Sequence, residues 1–206
     1  MPLTLVDHAL VRTMLTGLRD KTTPPSVFRR LAHGVSTILA VEASRGLATN
    51  TRPVETPLET TEGYDPAISL VAVPILRAGL GMLEAVLTLL PETQVGYLGL
   101  ERDESTAQAG LYYRKLPDLA GKTVWMLDPM LATGGSASRS ASILYAAGAD
   151  RINMLAIVSA PEGVDLLTRE HPGIHVITAS LDRELNDRKY ILPGLGDFGD
   201  RLFGTN

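Results

Sequence analysis

The 206-residue chain has no cysteine, which removes disulfide frameworks, thiolate metal sites and a cysteine nucleophile. It has no apolar run long enough to span a bilayer. Its opening, "MPLTLVDHALVRTML", carries no basic leader ahead of a long apolar core, so no signal peptide is expected. A basic surplus is missing too. Nineteen Lys and Arg stand against 23 Asp and Glu, a net charge of -4, which offers nucleic acid or an anionic membrane no overall attraction. The expectation is a cytoplasmic protein with neither a membrane nor a nucleic acid as partner.

What is present suits one domain over residues 1–206, since 45% hydrophobic residues fill a core at this length. Apolar residues recur at three- and four-residue steps from Asp7 to about Arg19 and from about Ser26 to Ser44, predicting two helices split by "TTPP". They form an N-terminal helical arm within residues 1–50. "ATNTRPVETPLETTEGYDP" has no long apolar face and reads as a loop or peripheral strands. Five short β-rich runs follow: "AISLVAVPIL", "QVGYLGL", "TVWMLD", "RINMLAIVSA" and "GIHVITASL". Several are apolar at nearly every position, as strands buried on both faces are. Helical patterns alternate with them, one closed by Gly148 and one opened by Pro161 and stopped before Pro172. The fold class is therefore α/β, with a mainly parallel β-sheet flanked by helices. Residues 101–122 interrupt the alternation and read as a long hairpin lid. Residues 182–206, with Gly194, Gly196, Gly199 and Gly204 and no periodicity, read as an irregular cap.

The richest segment is "DPMLATGGSASRS", residues 128–140. Gly134 and Gly135 let backbone N–H groups approach a ligand, and Thr133 and Ser136 add hydroxyls at the start of a helix. That is an anion cradle, though a Gly-Gly pair with a Ser cap also makes an ordinary strand-to-helix turn. Asp128 decides between the two. A carboxylate beside a phosphate is repulsive unless it holds something else, such as sugar hydroxyls or a divalent cation on the same ligand. In "PILRAGLG", Arg77 directly follows a buried strand with Gly79 and Gly81 close behind, a cation suited to a pyrophosphate.

"MLDPMLATGGSA" resembles the phosphoribosyl pyrophosphate (PRPP) loop of type I phosphoribosyltransferases, in the version with Pro129 after the first acid that uracil phosphoribosyltransferases carry. "VPILRAGLGM", "YYRKLP" and "YILPGLGDFGDRLFGT" are similar to further stretches of that family. The resemblance implies PRPP contacts at Arg77, Arg102, Asp128, Pro129, Met130, Leu131, Ala132, Thr133, Gly134, Gly135, Ser136 and Asp197, with Asp128, Arg77 and Arg102 nearest the chemistry. It implies that residues 182–206 are a uracil hood in which Ile191, Gly196, Asp197 and Phe198 meet the base. Apart from the resemblance, "ERDE" around Arg102 is a solvated charged turn. Tyr112, Tyr113, Arg114 and Lys115 of the hairpin fold over the site or send one Tyr into the core.

The implied reaction is uracil plus PRPP giving UMP and pyrophosphate, with Mg²⁺ bound mainly through PRPP and no metal site of the protein's own. The resemblance also implies a homodimer or higher homo-oligomer, for which the apolar faces of the N-terminal helices offer a surface, and raises GTP as an effector. The rival readings are transfer to another base, or a regulator that keeps the PRPP fold, senses uridine nucleotides and binds RNA. The regulator needs a basic face, and residues 182–201 hold five acids against four bases.

Other patterns fail on their own terms. "GLGDFG" fits a dinucleotide fingerprint but lacks the following helix of a βαβ unit and the later acid. "AGKT" lacks the P-loop's earlier glycine, its place being taken by Leu116. His171 and His175 are separated by Pro172 and Gly173, which break any helix that could align them on a metal. No nucleophilic triad is recognisable.

Overall fold

A computed structural model of the chain describes residues 3–67, 69–102 and 109–205, with backbone alone at 101, 102 and 109. β1 (Leu3–Leu5) is followed by α1 (Ala9–Arg19), α2 (Pro25–Ser44) and the hairpin of β2 (Thr49–Glu55) with β3 (Thr60–Pro66). Next come β4 (Leu70–Leu76), α3 (Leu80–Leu89), β5 (Gln94–Val95), β6 (Tyr97–Arg102), β7 (Ala109–Lys115), β8 (Thr123–Leu127) and β9 (Met130–Leu131). The chain closes with α4 (Gly135–Ala146), β10 (Arg151–Ser159), α5 (Pro161–Glu170), β11 (His175–Leu181), β12 (Glu184–Leu185), β13 (Ile191–Leu192) and α6 (Phe198–Phe203). Prolines at the first helical position start α2 and α5, where the missing N–H costs nothing.

The main sheet runs β1-β11-β10-β8-β4-β6-β7, parallel throughout except for the β6–β7 pair. Both faces are dry, which explains strands without polar alternation. Leu70, Ala72, Trp125, Leu127 and Leu155 pack with α1, α2 and α3. Val71, Val73, Val124, Met126 and Met154 pack with α4 and α5. Thus β4 and β8 are neighbours whose following helices, α3 and α4, leave to opposite faces. That divergence opens a crevice at the carboxyl ends of the two strands, where open α/β sheets hold their ligands.

Several expectations change. β1 lies inside the expected helical arm but pairs with β11 in parallel. Three residues carry no readable period, so the partner strand defines this element. The apolar faces of α1 and α2 do not form an outer surface. Val11, Leu15, Leu18, Phe28, Ala32, Val35 and Leu39 are buried in this chain's own core, so those faces offer no interface to another copy. The hood is not irregular: β12 and β13 pair antiparallel and α6 is helical. The predicted hairpin exists, but β7 is an edge strand of the main sheet and Leu119 behind it is buried. The turn at 103–108 lies outside the described residues. Tyr112 and Tyr113 are both exposed, so neither enters the core.

Candidate active site

Arg77 sits in the turn joining β4 to α3, after a cis Leu76–Arg77 peptide. Its guanidinium is exposed, 3.8 Å from Asp200 of α6, with Cζ 6.0 Å from the centroid of the Phe203 ring. Gly79 and Gly81 serve closeness rather than bending. A Cβ on Gly79 would stand 2.3 Å from the Leu127 carbonyl, and one on Gly81 would stand 2.8 Å from Leu202 Cδ2. The Arg77 turn is therefore wedged between the end of β8 and the hood.

Asp128 follows β8 directly and is partly buried. Its backbone N–H donates to the Leu155 carbonyl at 3.2 Å, which fixes the residue to β10. Burial pushes its carboxyl up to about 7, against a single opposing hydrogen bond, 3.3 Å, from the Met130 N–H. A carboxylate with so few donors inside the protein has acceptor capacity left for a ligand.

Residues 129–131 extend the strand along β10. The Pro129 carbonyl accepts from the Ile157 and Val158 N–H groups, and β9 pairs with Val158 and Ser159. Pro129, Leu131 and Gly134 are buried and Met130 is partly buried, which leaves Ala132, Thr133, Gly135 and Ser136 as the accessible part of the loop. Gly134 adopts φ 82°, in the left-handed region. The first N–H groups of α4 have no acceptor inside the helix, and Gly135 and Ser136 are exposed. A Cβ on Gly135 would meet nothing nearer than Thr133 Oγ1 at 3.8 Å. The cradle is open to a ligand.

Its underside was not foreseen. Gly163, in the first turn of α5, lies so close that a Cβ there would stand 2.4 Å from the Ala132 carbonyl and 2.9 Å from that of Leu131. A Cβ on Gly134 would in turn stand 2.7 Å from the Gly163 carbonyl. The loop therefore rests on α5 backbone to backbone. A lone Gly in "PEGVDLL" gives no sequence sign of that.

The hood covers the crevice from α6. Asp197 caps α6, accepting from the Asp200 N–H at 2.9 Å, and Gly196 before it has φ 82°. Gly196 and Asp197 are exposed, whereas Phe198 is 1% exposed and packs edge-on to Phe28 at 5.2 Å. Ile191 is also buried. Their side chains belong to the core, so what Ile191 and Phe198 can offer a base is backbone. Gly194, at φ 59°, turns tightly enough that a Cβ would stand 2.2 Å from the Ile191 carbonyl.

An ion pair invisible to pattern reading holds that turn. Arg19 donates from Nη1 to Asp182 Oδ2 at 2.8 Å and from Nη2 to Oδ1 at 2.6 Å. It also donates to the Gly194 carbonyl at 2.7 Å, while Asp182 accepts from the Gly194 N–H at 2.9 Å. Burial alone would raise the Asp182 carboxyl, but hydrogen bonds from Arg19, Ser180 and Gly194 outweigh it and hold it below the usual range. Arg29 and Arg201 tie α6 down further, Arg29 donating to the Leu202 carbonyl at 2.8 Å and Arg201 to those of Leu18 and Leu195.

The backbone of Arg102 ends β6, paired with Ala109. No group of three or more His, Asp or Glu able to hold a metal occurs among the described residues. Nor does any helix among them have the length and apolarity to cross a membrane. Ser138, Glu170 and His171 do meet, His171 Nε2 lying 3.0 Å from the Ser138 hydroxyl and 3.1 Å from its carbonyl, but the same hydroxyl donates to the Glu170 carboxylate. That arrangement locks α4 to α5 and activates no nucleophile.

A sequence model of the family described as "Uracil phosphoribosyltransferase" matches residues 5–205. The chain belongs to the uracil phosphoribosyltransferase family. A uracil phosphoribosyltransferase of Dictyoglomus turgidum is 49% identical over 203 residues, 98% of either chain. The solved AQ2163 protein of Aquifex aeolicus is 32% identical, with a TM-score of 0.93 over 99% of each chain. A hypoxanthine phosphoribosyltransferase of Trypanosoma cruzi, 11% identical over 76% of this chain and 75% of its own, superposes with a TM-score of 0.52. At that identity it shows only the type I phosphoribosyltransferase fold. The uracil phosphoribosyltransferase match runs through the arm, the sheet and the hood.

Proposed function

We propose that this chain transfers the phosphoribosyl group of PRPP to N1 of uracil, releasing UMP and pyrophosphate. One observation carries the assignment of residues: an exposed arginine, a partly buried acid, an open helix N-terminus and a glycine-rich hood converge on one crevice at the carboxyl edge of the sheet. The helix N-terminus at Thr133–Ser136 takes the 5′-phosphate, where amides and macrodipole favour two negative charges. Asp128 accepts from the ribose hydroxyls and sets negative potential beside the sugar.

As the C1′–O bond to pyrophosphate breaks and the C1′–N1 bond forms, the ribose gains positive charge, pyrophosphate departs with the bonding pair and the N1 proton passes to the departing pyrophosphate or to water. Arg77 and Arg102 stabilise the leaving charge; an arginine held before charge develops needs no reorganisation at the moment of reaction. Arg77 must exchange Asp200 for pyrophosphate, which a 3.8 Å contact between two exposed side chains permits. The hood offers Gly196, Asp197 and the backbone of Phe198 to the edges of uracil and aims N1 at C1′. Such alignment supplies about 7 kcal/mol in favourable intramolecular cases.

The residues fit a Mg²⁺ ion that PRPP would carry, with Asp128 as an oxygen donor available to it, and that would offset pyrophosphate charge. The reading extends to a cytoplasmic homo-oligomer, and to GTP as the effector that the family resemblance implies. The test mixes pure protein with Mg²⁺, PRPP and each common base and follows pyrophosphate release. Release with uracil is expected. Release with adenine, hypoxanthine or orotate but not uracil overturns the base assignment, and a rate indifferent to GTP removes the effector.

A further inference from the structure

A second cleft opens at the opposite edge of the sheet. It encloses about 660 Å³ between the C-terminal end of α2 and the beginnings of the strands, and Thr4, Thr123, Asn153 and His175 line it along with Arg45 and Arg151. Register places Arg151 beside Thr123, and Asn153 beside both Trp125 and His175, while Thr4 lies beside Ile177. All of these therefore point to the face that α1, α2 and α3 cover. Two residues further along the strands that face is apolar and buried, at Leu127, Leu155 and Ile177.

On this face the starts of β8, β10 and β11 carry Thr123, Arg151, Asn153 and His175, and β1 carries Thr4 next to the buried Ile177, polar groups that a covered parallel sheet does not require. Their groups are also little used by the protein. Thr4 and His175 share a hydrogen bond of 2.8 Å. The side chains of Thr123, Asn153 and Arg151 bond to no described residue, although Thr123 and Asn153 are partly buried. Burial holds the His175 pKa down. Arg45 is paired with Glu42 at 2.6 Å, so Arg151 supplies the free positive charge of the wall.

We propose that this cleft is a second ligand site, for an adenine mononucleotide whose phosphate Arg151 holds and whose ring edge Asn153 and Thr123 read. The cavity falls within the range of small-molecule sites, roughly 300–1,000 Å³. A guanidinium suits a phosphate ester, and a side-chain amide pairs in bidentate fashion with adenine's adjacent acceptor and donor. Thr123 and Asp128 stand five positions apart along β8 and its end, roughly 16 Å of extended chain. The two sites do not share a residue.

The experiment titrates AMP into the full chain by calorimetry, with and without saturating PRPP. One AMP per chain, bound equally in both conditions, is expected. Arg151→Ala and Asn153→Ser should each weaken AMP at least tenfold while the phosphoribosyl transfer rate stays unchanged. Inorganic phosphate as a probe should bind more weakly than AMP. Displacement of AMP by PRPP would put the ligand at the catalytic edge and end the proposal. So would no heat at about 1 mM AMP, variants that bind AMP as the parent does, or an Arg151→Ala change that alters oligomer mass and leaves AMP binding intact.

Discussion

Asp128 has to be an anion for the sugar and is housed as though it were neutral. Its pKa of about 7 means that the ligand-free protein holds this proton more tightly than the unfolded chain, whose value is 3.8. The contribution to stability is thus present in acid and lost as pH rises through about 7. Asp128→Asn should therefore melt at or above the parent at pH 8, read by calorimetry without ligand. Its turnover should fall roughly 100-fold, the scale of losing one preorganised electrostatic partner. The parent's kcat/KM for PRPP should drop as pH falls below about 7, and Asp128→Asn should lose that limb. A variant that melts lower and turns over normally would reverse both roles. Arg19 presents the opposite case, since Asp182, held low, contributes stability above the ordinary carboxylate range and loses it only as acid drives the pH below that range. Arg19→Ala strands a buried carboxylate, at a cost of about 3 kcal/mol, and frees the Gly194 turn. The expected kinetic mark is a uracil KM raised more than the PRPP KM, with Arg19→Lys restoring charge but not the two-pronged bond. Equal changes in both constants would reduce the pair to a scaffold.

Among the elements, the contact between α5 and the cradle makes the sharpest demand on sequence. Alanine is intrinsically the better helix former by about 1 kcal/mol, so Gly163→Ala would stabilise α5 if nothing stood over it. With the Ala132 carbonyl 2.4 Å from the added Cβ, overpacking of about 1–3 kcal/mol wins instead. Gly163→Ala should lower the melting temperature and raise the PRPP KM, leaving the uracil KM at saturating PRPP nearly unchanged. A more stable variant with parental kinetics would show that the loop yields freely. The same contact leaves no mark in the sequence, unlike the strands and the cradle it supports. β4, β8 and β10 were legible because strands dry on both faces are apolar at every step, and the cradle was legible because Gly-Gly before a helix carries a chemical reason. Gly163 had no such local reason. Arg19 and Asp182 are 163 positions apart, and a pairing of that span leaves no trace in any window. β1 and α6, at three and six residues, are too short to show a period, and packing against β11 and Phe28 decides them.

The whole molecule leaves one element without a purpose inside a single chain. β2 and β3 pair along seven residues each, yet apart from Val54 and Gly63 every residue of the two strands is exposed, and Leu58 at the turn is 95% exposed. A two-stranded ribbon alone in water is marginally stable, and the core beneath α1 and α2 is already closed. With the helical faces spent on that core, the hairpin is the surface through which the proposed homo-oligomer would form, most simply about a two-fold axis where each ribbon lies on its neighbour. Replacing residues 50–65 with a short Gly-Ser turn should convert a dimer or larger assembly to monomer in sedimentation. The melting temperature at low protein concentration should change little, because those side chains bury almost nothing in their own chain. The residues proposed for the active site follow β4 and β8, end β6 or lie in the cradle and the hood, all within one chain, so the shortened monomer should still bind PRPP. A parent that sediments as a monomer, or a shortened chain that keeps the parent's mass, would leave the ribbon without that partner.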